Sequence, residues 1–480
     1  MSTVQQAQTL GAVVDACGRS NIPPVRLVGS PDVLVDDLVM DSRAVRTNSI
    51  FACVRGRQFD GHRFAEEAVA AGAVALLVDH QLELEVPQIV VEGVRKALGP
   101  IASIVHRNPS SALRMIGITG TNGKTTVAQM TASVLGAGGL NTRVIGTLEG
   151  TMTTPEAPDL QRHLANLRDE GVEVVVMEVS SHALAEFRTS GIDYEAVVFT
   201  NLGHDHLDVH GSVESYFRAK SLLFSDYASV HQIVSADDVH GRLLADTVTE
   251  SGMRPRCWSL SSASNLEMSF EGSVFEYGGS KFQVRLVGLP NVSNALASIE
   301  TCRALGLSDV TIATGLSALE SVPGRFEVFL GGGIVVVVDF AHTPEALGSL
   351  LDTCRQLHPN GPISIVFGCG GQRDRAKRPQ MARIASERAD KVVITSDNPR
   401  SEDPEAIIQD VLSGVPDDVS HRVTSITDRA EAIFSIIRDA QIGEVVVVAG
   451  KGHERTQKFA DRIVEFDDRE HVQRALEERQ

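Results

Sequence analysis

Apolar residues in this chain gather in short continuous runs, at 113–118, 172–176, 196–199, 334–338, 363–367, 391–395 and 444–448. Polar segments with helical spacing separate several of them. An apolar run bounded by turn residues predicts a strand buried on both faces. Such strands alternating with helices predict parallel α/β sheets. Residues 1 to about 110 carry shorter apolar runs between polar turns. Within them, 69–79 predicts a helix end, a glycine turn and a buried strand. Val322-Pro323-Gly324 predicts a linker. The pattern divides the chain into 1–110, 111–321 and 322–480, with no internal repeat.

Composition narrows the function. The 480 residues carry a net charge of −18, spread along the chain rather than held in a tail. Nucleic acid or an anionic membrane is therefore not expected as the main partner. No run of about 18 apolar residues predicts a membrane span. The segment Met1-Ser2-Thr3-Val4-Gln5-Gln6 lacks the basic and apolar regions of a secretory signal. Six scattered cysteines without a CxxC pair predict a reducing compartment and no structural zinc. Cys369 lies in a glycine loop without an evident base and is read as inert.

One segment carries most of the chemistry. Gly117-Ile118-Thr119-Gly120-Thr121-Asn122-Gly123-Lys124-Thr125-Thr126 lies between the 113–118 run and a helical segment expected from about Val127. Strand, glycine loop and helix in this order aim backbone N–H groups and the positive helix end at a polyphosphate. Lys124 would reach the β- and γ-phosphates, and Thr125 would offer its hydroxyl to Mg2+. Ile118 stands where the strict phosphate-loop pattern has glycine. The match is a variant, and a ligand-free glycine turn is the alternative.

Ligands of open parallel sheets bind beyond the carboxyl ends of strands. Just past the predicted strands come Met177-Glu178-Val179-Ser180-Ser181-His182, then Thr200-Asn201-Leu202-Gly203-His204-Asp205-His206-Leu207-Asp208. Later strands are followed by Asp339-Phe340-Ala341-His342, Gly370-Gly371-Gln372-Arg373-Asp374, Asp397-Asn398-Pro399-Arg400 and Gly450-Lys451-Gly452-His453-Glu454. Glu178 fits a Mg2+-holding carboxylate, or a helix N-cap acid. His206 is a possible metal partner, although Mg2+ prefers oxygen, or a side chain bonding a neighbouring loop. Lys220 lies in an amphipathic helical segment, and spacing predicts that it faces solvent. Arg373 and Arg400 suit bidentate carboxylate capture, or are ion-paired. For Lys377 and Arg378, a solvated or ion-paired role is the better reading. Asp397, Asn398 and Glu454 could hold an ammonium group, completing a site for a zwitterion.

GTNGKTT, MEVSSHAL, the TNLGHDHLD–HG–YFRAK series, GRFE, DFAHTPEAL, FGCGGQRDRAKRP, DNPR and GKGHE, in this order, resemble the Mur ligases over nearly the whole chain. Asp41-Ser42-Arg43-Ala44-Val45, with 56–62, is similar to the family's UDP-sugar-binding region. The resemblance implies an α/β protein of three domains. These are a smaller N-terminal α/β domain, a central P-loop ATPase-type parallel sheet and a C-terminal Rossmann-like sheet. It implies a cytoplasmic, monomeric enzyme acting on small molecules, with no nucleic acid and no membrane insertion. ATP and Mg2+ would serve the joining of a diamino acid to UDP-MurNAc-L-Ala-D-Glu through an acyl phosphate.

The family's site residues carry over by motif. Gly120, Thr121, Asn122, Gly123, Lys124, Thr125 and Thr126 would bind ATP, with Asn291, Asn294, Arg325 and Asp339. Thr125, Glu178, His206 and Lys220 would serve the metal, Lys220 as the family's carbamylated lysine. Lys124, Glu178, His206 and Lys220 form the implied catalytic set. Met40, Ser42, Arg57, Gln58, Thr153, Thr154, Ser180, Glu186 and Arg188 would contact the UDP-sugar peptide. Arg373, Asp397, Asn398, Pro399, Arg400, Gly450 and Glu454 would bind the amino acid. The DNPR form is associated with meso-diaminopimelate, whose distal carboxylate gives Arg400 a partner that lysine lacks.

Three positions depart from the pattern: Glu186 for Gln, Phe340 for Tyr and Gln372 for Asp. The alternatives are addition of L-lysine or another diamino acid, a folylpolyglutamate synthetase-like ligase, and a non-catalytic relative. The Asp41-Ser42-Arg43 region and the DNPR segment disfavour the second. The presence of Lys124, Glu178 and Lys220 disfavours the third.

Overall fold

A computed structural model describes residues 7–479, apart from 19–21, 23, 57–58, 151, 204–206 and 228 and the side chains of 207 and 208. The chain forms two compact units. The first comprises Met1–Leu202, Ser212–Trp258 and Ala297–Ile312; the second comprises Gly203–Gly211, Ser259–Leu296 and Ala313–Gln480.

The first unit contains two main sheets. Strands β1 (Val25–Val28), β2 (Asp37–Val39), β3 (Ser49–Ala52), β4 (Ala75–Val78) and β5 (Gln88–Val91) lie in the order β1-β5-β4-β3-β2. Only β1 runs antiparallel to its neighbour. The second sheet is formed by β6 (Arg114–Thr119), β7 (Thr142–Ile145), β8 (Val174–Glu178), β9 (Tyr194–Phe199), β10 (Ser229–Ser235) and β11 (Arg256–Trp258). Its order is β11-β10-β9-β6-β8-β7, all parallel. The central strand β6 is flanked by β8 and β9, so three strand ends converge where the topology reverses direction. That is where an open α/β sheet binds ligands.

The second unit carries a small antiparallel sheet of β12 (Ser264–Ser269), β13 (Gly272–Tyr277) and β14 (Ser280–Val284). Its main sheet comprises β15 (Glu327–Gly331), β16 (Ile334–Asp339), β17 (Ile363–Cys369), β18 (Lys391–Ser396), β19 (Val423–Ser425) and β20 (Val445–Ala449). The order is β15-β16-β20-β17-β18-β19, with only β15 antiparallel. Both faces are covered. Val337 packs with Leu347 and Leu351, whereas Val336 and Val338 pack with Ile433, Ile436 and Ile437. This is why the strands read as continuous apolar runs: successive side chains point to opposite faces, and neither face meets water.

Several strands run beyond their predicted ends into the polar residue that follows, so that Glu178, Asp339 and Ser396 are strand-terminal. Ladder hydrogen bonds carry the backbone on regardless of side-chain polarity. The helix Lys124–Ala137 begins three residues before the expected Val127, because Gly123, at φ +88°, turns the loop directly into the first helical turn. The predicted linker 322–324 is a packed turn rather than a loose tether. Val322 is 1% exposed, and a Cβ on Gly324 would lie 2.1 Å from the His453 nitrogen.

Candidate active site

In the first unit, the loop after β6 is held from the end of the flanking strand β9. The Thr121 N–H donates to the Asn201 carbonyl (2.9 Å), and the Asn122 N–H donates to Asn201 Oδ1 (3.0 Å). Thr200 Oγ1 donates to the Asn122 carbonyl at 2.6 Å. Gly120, at φ +148°, lies so close to Thr200 that a Cβ would meet Oγ1 at 1.8 Å. Only glycine allows this approach. The Lys124 ammonium folds over the loop and donates to the carbonyls of Gly120 and Thr121, each at 2.8 Å.

Lys220 does not face solvent as its spacing predicts. It is 1% exposed, and its Nζ donates to the same Gly120 carbonyl at 2.7 Å, 4.4 Å above the Tyr216 ring. The helix Val213–Ser225 turns this face inward, and Tyr216 Oη lies 3.1 Å from Thr121 Oγ1. Two lysine side chains thus converge on one loop oxygen. That concentration of charge suits a polyphosphate, or a modified Lys220 that carries negative charge.

Glu178 is 1% exposed and is not an N-cap. Ser180 caps the helix Ser181–Ala185 by accepting from the Ala183 N–H. Glu178 instead accepts from Thr125 Oγ1 (2.8 Å), the Thr147 N–H (2.9 Å) and Thr147 Oγ1 (3.3 Å). Gly146 makes room for it, since a Cβ there would lie 2.2 Å from Glu178 Oε1. A buried carboxylate beside the first-turn threonine of a phosphate loop fits a hard, oxygen-preferring cation. His206, Arg57 and Gln58 lie outside the described residues.

Thr154 Oγ1 donates to the Glu178 carbonyl (2.9 Å) and accepts from the Ser180 N–H (3.1 Å), while Thr153 Oγ1 lies 3.0 Å from Thr147 Oγ1. Arg188 donates to Glu186 (2.8 Å) and to the Thr154 carbonyl (3.3 Å), and pairs with Glu156 at 3.0 Å. Glu186 therefore serves as a partner of Arg188, besides lying 3.8 Å from Arg95. Ser42 donates to Glu67 at 3.3 Å, and Met40 packs against the core of the N-terminal sheet.

In the second unit, four loops meet past β16, β20, β17 and β18. Asn398 is 3% exposed. Its Nδ2 donates to Glu454 (2.7 Å), and its Oδ1 accepts from Lys451 Nζ (3.3 Å) and the Lys458 N–H (3.0 Å). Burial opposes ionisation of Glu454, but Lys451 and Asn398 outweigh it and hold the carboxyl below its usual range. Gly450, at φ +113°, lies against Asp397, whose Oδ2 would be 3.1 Å from a Cβ there.

Arg400 adopts φ +55°, a conformation that costs a non-glycine residue about 1–3 kcal/mol and is typical of functional sites. Its N–H donates to the Lys458 carbonyl (2.9 Å) and its Nη1 to the Gly371 carbonyl (2.6 Å). Burial, then repulsion from Arg373, pushes its guanidinium below the ordinary value. Two mutually repelling guanidiniums next to Asp397 and Glu454 make a site with one end for an anion and one for a cation.

Of the two expected roles, Arg378 takes the ion-paired one. It is fully buried, bonding Glu402 (3.0 Å), Asp410 (2.8 Å) and the Gly370 carbonyl (3.3 Å), so it braces the loop that carries Arg373. Lys377 donates to the His342 carbonyl at 2.8 Å. Gln372, also at positive φ, bonds Glu402 through its backbone N–H. Asp339 accepts from the Phe326 and Ala341 N–H groups, each at 2.7 Å, while burial pushes its carboxyl up. The Arg325 guanidinium lies 4.5 Å above the Phe340 ring. Asn291 and Asn294 are buried in the helix Leu289–Ala304 and are joined at 3.1 Å. Cys369 is buried, and burial pushes its thiol up to about 12, in keeping with an inert group.

Sequence reading did not select Asn201, Thr147, Tyr216 or Lys451 as site residues. Asn201 and Lys451 lie inside quoted motifs and were within reach. Thr147 and Tyr216 are identified only by what they touch.

His453 allows a pH prediction. Burial, then the Arg325 charge, lowers its imidazole from the usual 6.5 to about 4, and its Nδ1 is buried without a hydrogen-bond partner among the described residues. Between about pH 6.5 and 4 the unfolded chain binds a proton there that the folded chain refuses, so stability falls as the pH is lowered through that window and is unaffected above it. His453→Gln is expected to flatten that part of the thermal-midpoint profile. An unchanged profile in the variant would show that other groups set it.

Comparison with known proteins identifies the family. The profile for "Mur ligase family, catalytic domain" matches residues 35–108, "Mur ligase middle domain" matches 118–302, and "Mur ligase, glutamate ligase domain" matches 324–452. The UDP-N-acetylmuramoyl-L-alanyl-D-glutamate–2,6-diaminopimelate ligase of Geobacillus kaustophilus is 42% identical over 476 residues, 94% of this chain and 96% of its own. That of Geobacillus thermodenitrificans is 42% identical over 477 residues, with the same shares covered. A solved structure of a UDP-N-acetylmuramoyl-L-alanyl-D-glutamate–2,6-diaminopimelate ligase superposes with a TM-score of 0.70 at 32% identity, covering 98% of this chain and 99% of its own.

Proposed function

The chain belongs to the Mur ligase family, and from that premise we propose that it is the ATP-dependent ligase that adds meso-diaminopimelate to UDP-N-acetylmuramoyl-L-alanyl-D-glutamate in peptidoglycan synthesis. One observation carries the reading most: Lys124 and Lys220 converge on the Gly120 carbonyl of a phosphate loop whose Thr125 bonds the buried Glu178. A carboxylate is a poor acyl donor until its oxygen is made a leaving group. The D-glutamyl γ-carboxylate attacks the γ-phosphorus of ATP, ADP departs, and an acyl phosphate forms. The amine nitrogen then attacks the acyl carbon, loses a proton, and phosphate leaves. Lys124 and the loop N–H groups bind and orient the phosphates. Thr125, Glu178 and His206, with Lys220 as a carbamate, would hold Mg2+, which when bound neutralises charge on the transferring phosphoryl group. Converting the crowded ammonium of Lys220 to an anionic carbamate also replaces its repulsion with Lys124 by attraction.

Arg373 and Arg400 take the carboxylate end of the amino acid, and Asp397, Asn398 and Glu454 take its ammonium end. Ser42, Thr153, Thr154, Ser180 and Arg188, with Met40, Arg57, Gln58 and Glu186, contact the nucleotide-sugar peptide. Asn291, Asn294, Arg325 and Asp339 complete the ATP contacts. The profile matches support domain boundaries near residues 110 and 322. A monomer in the cytoplasm fits an enzyme whose substrates are ATP and a UDP-linked sugar. Among the described residues, no helix is long and apolar enough to cross a membrane.

The test is ATP-dependent ligation with UDP-MurNAc-L-Ala-D-Glu, offering meso-diaminopimelate and L-lysine separately. Turnover with diaminopimelate alone is expected. Turnover with lysine keeps the ligase and overturns its specificity, and turnover with neither overturns the reading. Arg400→Ala is expected to raise the diaminopimelate KM roughly 10–100-fold, the loss of a charge-assisted hydrogen bond, with a smaller change in kcat. An unchanged KM removes Arg400 from the site.

A further inference from the structure

A second chemical cluster lies in the N-terminal sheet region, away from the phosphate loop in sequence; the proposed reaction assigns its three side chains no substrate contact, although His62 ends the 56–62 segment that resembles the family's UDP-sugar-binding region. His62, Asp79 and His80 bring one ligand-type atom each within 4.8 Å of the others. Asp79 and His80 directly follow β4, and His62 lies in the short helical turn Gly61–Phe64. The two imidazoles stack, with centroids 4.9 Å apart and planes at 26°.

The His62 side chain is 8% exposed. Its Nδ1 lies 2.6 Å from Asp60 Oδ1, a carboxylate that only accepts. The Nδ1–H tautomer assigned from that partner leaves a lone pair on Nε2. Nε2 lies 3.1 Å from Asp79 Oδ1, another acceptor, and among the described residues makes no hydrogen bond of acceptable geometry. His80 Nδ1 approaches the same Asp79 oxygen. Arg55 occupies the other one, its Nε 2.9 Å from Oδ2, and lies 3.9 Å from Asp60 Oδ2. The His62 Nε2 lone pair therefore faces the Asp79 oxygen, with His80 Nδ1 beside the same oxygen, and a proton or a cation between them reconciles the arrangement.

We propose that His62, His80 and Asp79 bind a transition-metal dication of the Zn2+ or Co2+ type, with Asp60 fixing the His62 ring from behind. A ligating histidine whose second nitrogen donates to a carboxylate is the usual support of such a site. Two imidazoles and one carboxylate select Zn2+, Co2+ or Ni2+ over Mg2+ and Ca2+, which favour all-oxygen sets. Asp60 and Asp79 supply two negative charges against the one positive charge of Arg55. Asp79 and His80 line a cavity of about 780 Å³ with Arg26, Arg55 and Glu92, and the His80 side chain is 56% exposed. The metal's fourth position therefore opens to water or a small anion.

The test uses the full chain, stripped with chelator and kept in excess Mg2+ to saturate oxygen-rich sites. It is titrated with CoCl2 by visible absorption and with ZnCl2 by calorimetry. One equivalent is expected, with a d–d spectrum free of thiolate charge-transfer bands. His80→Gln, at an exposed position, is expected to weaken Zn2+ binding by at least about 100-fold, and Asp60→Asn by about 10–100-fold, with unchanged circular dichroism. No cobalt spectrum, or equal Zn2+ affinity in wild type and His80→Gln, overturns the proposal. Equal affinity would place the metal elsewhere, for instance at the exposed Cys257. Ligation activity is not the readout, so failure here leaves the ligase reading standing.

Discussion

Lys220→Ala is expected to lower kcat by about 10²–10³-fold, the range seen when one preorganised charge-stabilising group is removed from an active site. The side chain is 1% exposed and its Nζ reaches the Gly120 carbonyl at 2.7 Å, so it acts on the loop that would hold the γ-phosphate. Two roles are open to it. As an ammonium it braces the loop; as a carbamate it becomes an oxygen ligand for Mg2+. Lys220→Met keeps the volume and the packing against Tyr216, so it separates chemistry from cavity formation. If the carbamate operates, wild-type enzyme freed of CO2 loses turnover and regains it on adding bicarbonate, while neither variant responds. Full turnover in Lys220→Met would remove Lys220 from the mechanism. Loss of turnover without any bicarbonate response in wild type would leave the ammonium role alone.

The largest stability effect is expected at Asp468→Asn. Arg429 and Asp468 are both fully buried, joined by two hydrogen bonds of 2.7 Å. Arg429 also donates to the Ala449 carbonyl (3.0 Å) and the Ser396 carbonyl (3.5 Å), the last residues of β20 and β18. Gly450 and Asp397 follow directly, so the pair fixes the starting points of two substrate loops. Removing one partner of a buried pair leaves an uncompensated charge and costs about 3–5 kcal/mol. For a unit of this size that corresponds to a fall of roughly 6–20 °C in Tm. The double variant Arg429→Met with Asp468→Leu is expected to recover most of the stability but not the diaminopimelate KM, because the carbonyls lose their donor. A double variant as unstable as Asp468→Asn would show that shape, not charge, dominates at this position.

Much of this was legible in sequence because the determinants are local. A parallel strand buried on both faces reads as an apolar run, and the polar residues that follow it mark the ligand end of the sheet. Glu178, Asp339 and Asp397 were found this way, each at or directly after a strand end. The glycine loop was legible because positive φ at Gly120 and Gly123, and the close approach of Thr200, admit no side chain.

What remained hidden depends on contacts between distant segments. Lys220 read as a solvent-facing cation and Arg378 as solvated or ion-paired, since long charged side chains on helices usually reach water. Lys220 is buried because a carbonyl a hundred residues away accepts its ammonium. Arg378 is buried because Glu402, Asp410 and the Gly370 carbonyl surround it. The convergence of His62, Asp79 and His80 likewise follows from the placement of β4 beside the turn at 61–64.

The amino-acid sequence by itself determined the α/β class, the phosphate loop, the order of the motifs and hence the family and its chemistry. The tertiary structure alone decided which charged side chains are buried and which atoms face one another. The physical reason is that periodicity and backbone conformation are properties of neighbours along the chain, whereas desolvation and pairing of charge are properties of neighbours in space.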